Sequence, residues 1–272
     1  KVINISNPQL PIVVGRVDTP GNAIEVAIAG NFAYVADGSG LQVINISNPQ
    51  SPVRVGSING AAADVAIAGD FAYVAGPSGL QVINISNPHS PTVVGSVDTH
   101  GAKGIAIAGN FAYVVDGLPI LKVINISNPQ SPIVVGSVNT FGHGQNVAIS
   151  GNFAYVAGGH NGLQVINISN SETPAVVGSV DTYNANGIAI AGDFAYVADG
   201  SGLQVINISN PQSPIVVGSI ETYNGATSDA DVAIAGDFAY VADLSGLKVI
   251  NISNPQLPIV VGRVDTPGNA IE

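Results

Sequence analysis

The sequence predicts an all-β fold, a six-bladed β-propeller of four-stranded antiparallel blades, and three observations carry this prediction. A unit of about 41 residues recurs along the chain of 272 residues. Each unit holds four short apolar or β-branched segments that are separated by turns rich in Gly, Asn and Pro. No segment shows the 3.6-residue apolar period of a helix. Four-stranded sheets that repeat at about this period are typical of propellers.

Two sequence strings mark the repeat and set the number of blades. A complete blade needs one copy of each string, so six copies of FAYV predict six blades and leave one extra copy of VINIS. VINIS begins at Val2, Val43, Val82, Val123, Val165, Val205 and Val249, and FAYV begins at Phe32, Phe71, Phe111, Phe153, Phe194 and Phe238.

The turn residues divide one unit into its four strands. Gly-Asn or Gly-Asp joins the first two strands as a tight hairpin, and Pro ends the third because it has no N–H to donate to a ladder. The predicted strands of the first unit are Val26–Gly30, Asn31–Ala36, Leu41–Ser47 and Val53–Ile58. We predict one propeller domain over residues 1–272, with blades at about 26–64, 65–104, 105–146, 147–187, 188–231 and 232–272.

The two ends of the chain carry the same 25 residues. Residues 1–25 and 248–272 are identical, so one outer strand pair is spare or closes the ring. Three interpretations stay open: a cut through a longer array, an incomplete seventh blade, or strand exchange with the next copy. Exchange of this kind builds head-to-tail filaments. The predicted assembly or closure residues are Val2, Ile3, Ile5, Val249, Ile250 and Ile252.

Composition excludes several classes of function. The net charge is −11 with only 9% charged residues, so the surface repels phosphate backbones and we expect no nucleic-acid partner. The chain has no apolar run of membrane-spanning length, and we expect no membrane insertion. With no cysteine, thiolate chemistry and cysteine metal sites are excluded. We expect no cofactor and no metal, because the recurring turn aspartates read as hairpin residues; they are Asp37, Asp116, Asp199 and Asp243.

The inter-blade loops hold the best candidates for ligand binding. Of the 15 aromatic residues, all but three belong to the six FAY strings and are expected in the core. The three others, Phe141, Tyr183 and Tyr223, lie in consecutive inter-blade loops, and Asn224 follows the last. Exposed aromatic side chains stack on sugars or anchor protein partners. These four residues are therefore the predicted binding site for a glycan or a surface protein.

The repeat text resembles a known family. The strings GLQVINISNPQSPIVVGS and GIAIAGDFAYVADG, at residues 202–219 and 187–200, resemble the LVIVD repeat of bacterial and archaeal propellers. The resemblance implies a propeller and an exported or cell-surface location, and it implies no catalytic residues. This chain has Asn where the family's name has Asp, at Asn45, Asn84, Asn125, Asn167 and Asn207. We expect these side chains to hydrogen-bond their own turns rather than carry glycans.

The expected function is that of a non-catalytic extracellular or cell-surface propeller with a structural or interaction role. Self-association into filaments, head to tail through the duplicated ends, is the leading form of that role. One alternative is a ligand-binding propeller that uses the variable inter-blade loops. A second alternative is a propeller enzyme of unknown type, although the sequence offers no set of nucleophile, base and acid.

Overall fold

A computed structural model describes residues 1–222, 230–243 and 245–266. The fold is all-β, and it confirms the predicted six-bladed propeller of four-stranded antiparallel sheets, preceded by a two-stranded sheet. The strand order within every blade follows the chain, so each blade is a simple meander. In the third strand of blade 5, for example, Leu203, Val205 and Ile206 are each 0% exposed.

The strands of the first half are short and evenly spaced. The two-stranded sheet contains β1 (Val2–Asn4) and β2 (Ile12–Gly15). Blade 1 contains β3 (Ala23–Ala29), β4 (Phe32–Asp37), β5 (Gly40–Asn45) and β6 (Val53–Asn59). Blade 2 contains β7 (Asp64–Ala68), β8 (Phe71–Gly76), β9 (Gly79–Asn84) and β10 (Thr92–Val97). Blade 3 contains β11 (Ala102–Ala108), β12 (Phe111–Asp116), β13 (Ile120–Asn125) and β14 (Ile133–Asn139).

The second half repeats the same pattern. Blade 4 contains β15 (Asn146–Ser150), β16 (Phe153–Ala157), β17 (Leu163–Asn167) and β18 (Ala175–Val180). Blade 5 contains β19 (Gly187–Ala191), β20 (Phe194–Ala198), β21 (Gly202–Asn207) and β22 (Ile215–Glu221). Blade 6 contains β23 (Asp231–Ala235), β24 (Phe238–Asp243), β25 (Gly246–Asn251) and β26 (Ile259–Asp265). The first strand of each blade begins one to three residues before its predicted start.

The chain divides into two compact units. Unit 1 contains residues 1–4 and 13–137, which include blades 1 to 3. Unit 2 contains the described residues among 5–12 and 138–271, which include blades 4 to 6. Among the described residues, no helix has the length and hydropathy needed to span a bilayer.

The first turn of each blade has the predicted hairpin chemistry. Ala29 pairs with Phe32, so Gly30 and Asn31 are the two turn residues of blade 1. Gly30 has a φ of 57°, which a side chain would disfavour, and a positive φ at the first turn residue is typical of a type II′ turn. The equivalent glycines of the other blades have nearly the same φ; they are Gly69, Gly109, Gly151, Gly192 and Gly236.

The core lies between successive blades rather than within one sheet. In unit 1, Tyr34 and Leu41 of blade 1 pack against Val65 and Val74 of blade 2. The same positions form the core between blades 2 and 3, and in unit 2 between blades 4 and 5 and between blades 5 and 6. The second and third strands are therefore apolar on both faces, because each face meets a different neighbour.

A glycine in the fourth strand permits the outer halves of neighbouring blades to approach closely. A Cβ added to Gly56 would collide with the carbonyl oxygen of Pro88 in the next blade. The same relation recurs within unit 1 between Gly95 and Pro129, and within unit 2 between Gly178 and Pro211. The recurring glycine of the IVVGS string therefore serves blade packing.

The two-stranded sheet makes the same contacts as the outer half of a blade. In unit 1, a Cβ on Gly15 would collide with the carbonyl oxygen of Pro49, and Val17 packs on Ala33 and Ile44 of blade 1. In unit 2, a Cβ on Gly262 would collide with the carbonyl oxygen of Pro8. The two-stranded sheet therefore contacts the rest of the chain at two places: Pro8 in the loop between β1 and β2, and Gly15 in β2.

The duplicated residues fold into two different environments. Val249 and Ile250 are fully buried in β25, which has six residues, and Ile252, just after that strand, is 5% exposed. Their copies Val2 and Ile3 are half-buried in β1, which has three residues. Ile5, the copy of Ile252, is 37% exposed. Because the local sequence is the same, the difference comes from which strands cover it.

Candidate functional site

The predicted loop aromatics are exposed side chains on adjacent blades of unit 2. Phe141 is 72% exposed in the loop before blade 4, and Tyr183 is 61% exposed in the loop before blade 5. The other two predicted binding residues, Tyr223 and Asn224, lie outside the described residues. The structure therefore shows two of the four predicted residues accessible to a partner.

Hydrogen bonds hold the backbone beneath both aromatic side chains. The Phe141 N–H donates to Oε1 of Gln164 at 3.1 Å, and the Thr140 hydroxyl donates to the Gly142 carbonyl at 2.8 Å. The Gly200 N–H donates to the Tyr183 carbonyl at 2.7 Å. The Tyr183 ring also lies over Gly200, where an added Cβ would be 2.8 Å from a ring carbon. Both loops present a preformed surface.

In blade 1, a buried aspartate after the second strand joins the second turn of the blade to the preceding inter-blade loop. In blade 1, Oδ1 of Asp37 accepts the N–H groups of Ser39 at 2.8 Å and Gly40 at 2.7 Å. Its Oδ2 accepts the N–H of Gly21, in the loop before the blade, at 3.1 Å. The interpretation of Asp37 as a turn residue is confirmed. Its hydrogen bond with Gly21 also holds the preceding loop in place.

The partner of this aspartate changes from blade to blade. In blade 1, Gln42 donates to Asp37 at 3.3 Å. In blade 3, Lys122 lies 2.9 Å from Asp116, and in blade 6, Lys248 forms a close ion pair with Asp243. A lysine on the third strand therefore occurs with an aspartate on the second, which balances a buried charge.

Two equivalent aspartates differ in their proton affinity. Burial raises the pKa of Asp199 above its ordinary value, because hydrogen bonds from Ser201 and Gly202 offset the burial only in part. Burial alone would also raise the pKa of Asp243, but hydrogen bonds from Lys248 and Ser245 outweigh it and hold that pKa low.

Blade 2 has a small cavity at the position of this aspartate. Gly76 stands where blade 1 has Asp37, and the space of about 20 Å³ beside it is also lined by Gly60, Ser78 and Gln81. This volume holds about one water molecule. The cavity lies where blade 1 has the carboxylate of Asp37, and it is far too small for an organic ligand.

The histidines lie apart from any metal-binding geometry in the described part of the chain. No group of three or more His, Asp or Glu side chains there could hold a metal ion. His100 has an exposed ring whose Nδ1 is 3.9 Å from Oδ1 of Asp98, and its φ of 63° places it in a tight turn.

Sequence reasoning missed an uncovered apolar face on the first strand of blade 1, in unit 1. Ile24, Val26 and Ile28 alternate along β3 and are 45%, 54% and 59% exposed. Their counterpart in blade 2, Val65, is 6% exposed. We call these three residues the β3 face. The signal was present in the string AIEVAIA, which places large apolar residues on one side and mostly small ones on the other.

Unit 2, considered by itself, also has an incompletely covered blade. In blade 6, Tyr240 and Leu247 are half-buried, and Ala233 is exposed. In blade 5, the equivalent Tyr196 and Leu203 are 3% and 0% exposed. The same strings therefore lack a covering neighbour on this face of blade 6.

The fourth strands form exposed sheet edges with apolar side chains. Each is the last strand of its sheet, with a strand neighbour on one side only. We call the large exposed side chains near their starts the edge residues: Val53, Val93, Ile133, Val134, Ile215, Val216, Ile259 and Val260, all between 42% and 56% exposed.

Comparison with known families identifies the repeat. The profile of the LVIVD repeat matches residues 1–19, 20–60, 59–99, 101–140, 141–182, 184–222 and 226–266. The chain belongs to the LVIVD-repeat family. The first match of this LVIVD-repeat chain is about half as long as the others and covers the two-stranded sheet.

Solved structures show the same fold at low sequence identity. A protein from Lactobacillus plantarum is 17% identical with a TM-score of 0.79, over 94% of this chain and 89% of that one. A protein of unknown function from Desulfotomaculum acetoxidans is 19% identical with a TM-score of 0.78, over 98% of this chain and 92% of that one. The structure of U3-55K is 11% identical with a TM-score of 0.74, over 93% of this chain and 84% of that one. No curated protein matches the LVIVD-repeat chain.

Proposed function

We propose that this LVIVD-repeat chain is a non-catalytic structural propeller whose copies pack together through the edge residues. The observation that carries the proposal is the repetition of an exposed apolar edge in blade after blade, as at Ile133, Ile215 and Ile259. An apolar edge strand with free backbone groups is a template for association. Repetition of such an edge in five of the six blades favours a partner with the same repetition, which a second copy has.

The low charge of the chain supports packing of this kind. Only 9% of residues are charged, and the fourth strands that carry the edge residues contain Gly and Ser more often than charged side chains. Charged residues on edge strands are the usual protection against association. Blade 1 has Arg54 beside Val53, so its edge is better protected than the edges of blades 3 and 5.

Packing through the edges differs from strand exchange through the duplicated ends. Exchange requires the β1–β2 sheet to leave its contacts with Pro49 in unit 1 and Gly262 in unit 2. Edge packing leaves the sheet seated. We therefore favour edges as the route to filaments or arrays, at the extracellular surface that the family resemblance suggests.

Three charge substitutions test this proposal. We expect wild-type protein to form chains or arrays in electron micrographs and to sediment as concentration-dependent oligomers. The variant Ile133→Lys, Ile215→Lys, Ile259→Lys should remain folded, because these side chains are 51–56% exposed, and should sediment as a monomer.

A matched variant controls for added charge. Gln130→Lys, Gln212→Lys and Gln256→Lys place the same charges on exposed turns of the same blades, and this variant should assemble like wild type. Wild-type protein that stays monomeric at every concentration, or edge and turn variants that assemble equally, would contradict the proposal.

A second candidate function is ligand binding by the inter-blade loops. It is favoured by the exposure of Phe141 and Tyr183, at 72% and 61%, on backbones that are already held by hydrogen bonds. Large exposed aromatic side chains on fixed loops suit sugar rings. On a glycan array, Phe141→Ala with Tyr183→Ala should abolish any binding seen for wild type while assembly stays unchanged.

A further inference from the structure

We propose that three neighbouring loops of unit 2 form one binding platform for an uncharged oligosaccharide, and that His160 and Asn161 are its central contacts. The outer loops are residues 140–145 and 182–186, which precede blades 4 and 5, and the middle loop is residues 158–162, the second turn of blade 4. All three belong to unit 2. The inference rests on the second candidate function and names the class and length of its ligand.

The middle loop lies between the two outer loops and touches both. On one side, a Cβ added to Gly142 would be 2.5 Å from the carbonyl oxygen of Gly158 and from Oδ1 of Asn161. On the other side, Gly159 and Ala185 form an antiparallel bridge, with N–H to carbonyl hydrogen bonds of 3.0 and 2.9 Å. The three loops are therefore contiguous, and the two exposed aromatic side chains belong to the outer ones.

The middle loop breaks the repeat, as the outer loops do. Blades 1, 2, 5 and 6 have four residues between the second and third strand strings, ending in Ser-Gly, whereas blade 4 has five, Gly-Gly-His-Asn-Gly. His160 and Asn161, the two large residues of this turn, are exposed. Variation on a constant scaffold is typical of binding loops. Three variations that meet on one surface therefore favour a binding site there.

The backbone holds the middle loop in place without the help of its two large side chains. The Gly158 N–H donates to the Gly162 carbonyl at 2.8 Å, and the Asn161 N–H donates to the Gly158 carbonyl at 3.2 Å. Among the described residues, neither the His160 imidazole nor the Asn161 amide group has a hydrogen-bond partner. Both groups are available to a ligand, and a preformed loop lowers the entropic cost of binding.

The order of side chains across the platform suits a chain of sugars. Aromatic rings such as Phe141 and Tyr183 stack on the apolar faces of sugar rings. Between them, an asparagine amide and an imidazole donate and accept hydrogen bonds, as sugar hydroxyls require. A ligand that touches both rings crosses three backbone segments, and paired segments alone lie about 4.8 Å apart. The ligand is therefore an oligosaccharide rather than a single sugar.

The charges near the platform favour an uncharged ligand. Residues 123–247, which include all of blades 4 and 5, contain no lysine or arginine. Asp181, two residues before Tyr183, is exposed. Proteins bind carboxylate and similar anionic groups mainly with arginine and lysine. An acidic oligosaccharide would lack such a counter-ion here and would be repelled by Asp181.

Calorimetric titration of the full chain with defined sugars tests the proposal. The probes are glucose, xylose, mannose and N-acetylglucosamine, each as the monomer and as linear oligomers, with oligogalacturonate as the acidic comparison. We expect at least one uncharged series to bind, and its trimer to bind more than 10-fold more tightly than its monomer. Oligogalacturonate should show no binding up to about 1 mM.

Variants of the middle loop locate the site. His160→Ala and Asn161→Ala should each weaken binding of the best oligomer about 10-fold, because each removes hydrogen bonds to the ligand. Asn152→Ala, at the exposed first turn of the same blade, is the matched control and should leave the affinity unchanged. All three variants should melt within about 2 °C of wild type, because these side chains are exposed.

The outcomes separate this inference from the function on which it rests. Unchanged affinity in both His160→Ala and Asn161→Ala, a monomer that binds as tightly as its trimer, or binding of oligogalacturonate alone would overturn the inference. The second candidate function would stand in those cases if Phe141→Ala with Tyr183→Ala still abolishes binding. No binding of any sugar would overturn both. Edge packing is tested at other residues and does not depend on these results.

Discussion

At the scale of single residues, the buried aspartates show how one repeat position acquires opposite electrostatic properties. Asp199 directly follows β20 in blade 5, Asp243 is the last residue of β24 in blade 6, and both are 2% exposed. Gln204 faces the first and Lys248 the second. Burial raises the pKa of Asp199, whereas the hydrogen bonds from Lys248 and Ser245 outweigh burial and lower the pKa of Asp243.

The two aspartates should therefore respond oppositely to replacement by asparagine. The pKa of Asp199 is raised, so its folded state holds the proton more tightly than the unfolded state. The stability it supplies falls as pH rises from the ordinary aspartate pKa through the raised value. We expect Asp199→Asn to be at least as stable as wild type at pH 7 in urea unfolding, with the difference shrinking at pH 4.

Asp243→Asn should be destabilising under the same conditions. The pKa of Asp243 is lowered, so its contribution is present above the ordinary aspartate pKa and is lost as pH falls through the lowered value. Removing this carboxylate leaves Lys248 buried without its counter-ion, which costs about 3 kcal/mol at pH 7. Equal effects of the two substitutions at pH 7 would contradict this assignment.

At the scale of an element, the third strand ends in a turn that its own asparagine organises. Oδ1 of Asn207 accepts the N–H of Ser209 at 3.0 Å and the Ser209 hydroxyl at 2.7 Å. Asn45 and Asn84 make the same backbone hydrogen bond at 2.9 Å. The expectation that these asparagines bond their own turns is confirmed.

The hydrogen bonds of this turn predict that two substitutions at Asn207 differ in their effect on the free energy of unfolding. Asn207→Ala removes the acceptor and should cost about 1 kcal/mol in the free energy of unfolding. Asn207→Asp keeps an oxygen in the same place and restores the residue of the family's name, so it should cost less. Chemical denaturation of both variants would show this order, and the reverse order would mean that the amide NH₂ is the group that matters.

At the scale of the whole molecule, stability comes from repeated contacts between successive blades within each unit. Each blade contributes similar residues to its neighbour, so the total is close to a sum over interfaces. The N-terminal segment that contains the two-stranded sheet belongs to this series, because Val17, two residues after β2, packs against Ala33, Val35 and Ile44. Its removal should act like the loss of half an interface.

Deletion of residues 1–19 tests this view. The deletion uncovers side chains that are now 4–8% exposed, and it should lower the melting temperature by roughly 5 °C and increase binding of an apolar dye. Val17→Ala in the full chain should give a smaller decrease. An unchanged melting temperature in the deletion variant would show that the sheet does not stabilise blade 1.

The fold could be predicted from the repeat. The burial of individual side chains could not, because it depends on residues that are distant in the sequence. Recurrence of the FAYV and VINIS strings fixes the blade number and the strand order without any knowledge of contacts. The string FAYVAD at residues 32–37 and 238–243 shows the limit. Tyr34 is 2% exposed and Tyr240 is half-buried, because only the first has a neighbour that covers it.

The same reasoning applies to the candidate site. Phe141 and Tyr183 stood out from the sequence because they break the repeat, and they are exposed. The β3 face did not stand out, because Val26 and Ile28 conform to the repeat and only their missing cover distinguishes them. The start of β3 at Ala23 was also missed, since the loop text before Val26 lacks β-branched residues apart from Ile24.

The duplicated ends give the molecule an internal standard for amide hydrogen exchange. The chemical exchange rate of an amide depends on its sequence neighbours, and from Ile3 onward these are the same as from Ile250 onward. The ratio of the two measured rates therefore reports the difference in local opening directly, with no reference peptide. One sample thus compares a covered and a half-covered copy of the same strand pair under identical solvent, temperature and pH.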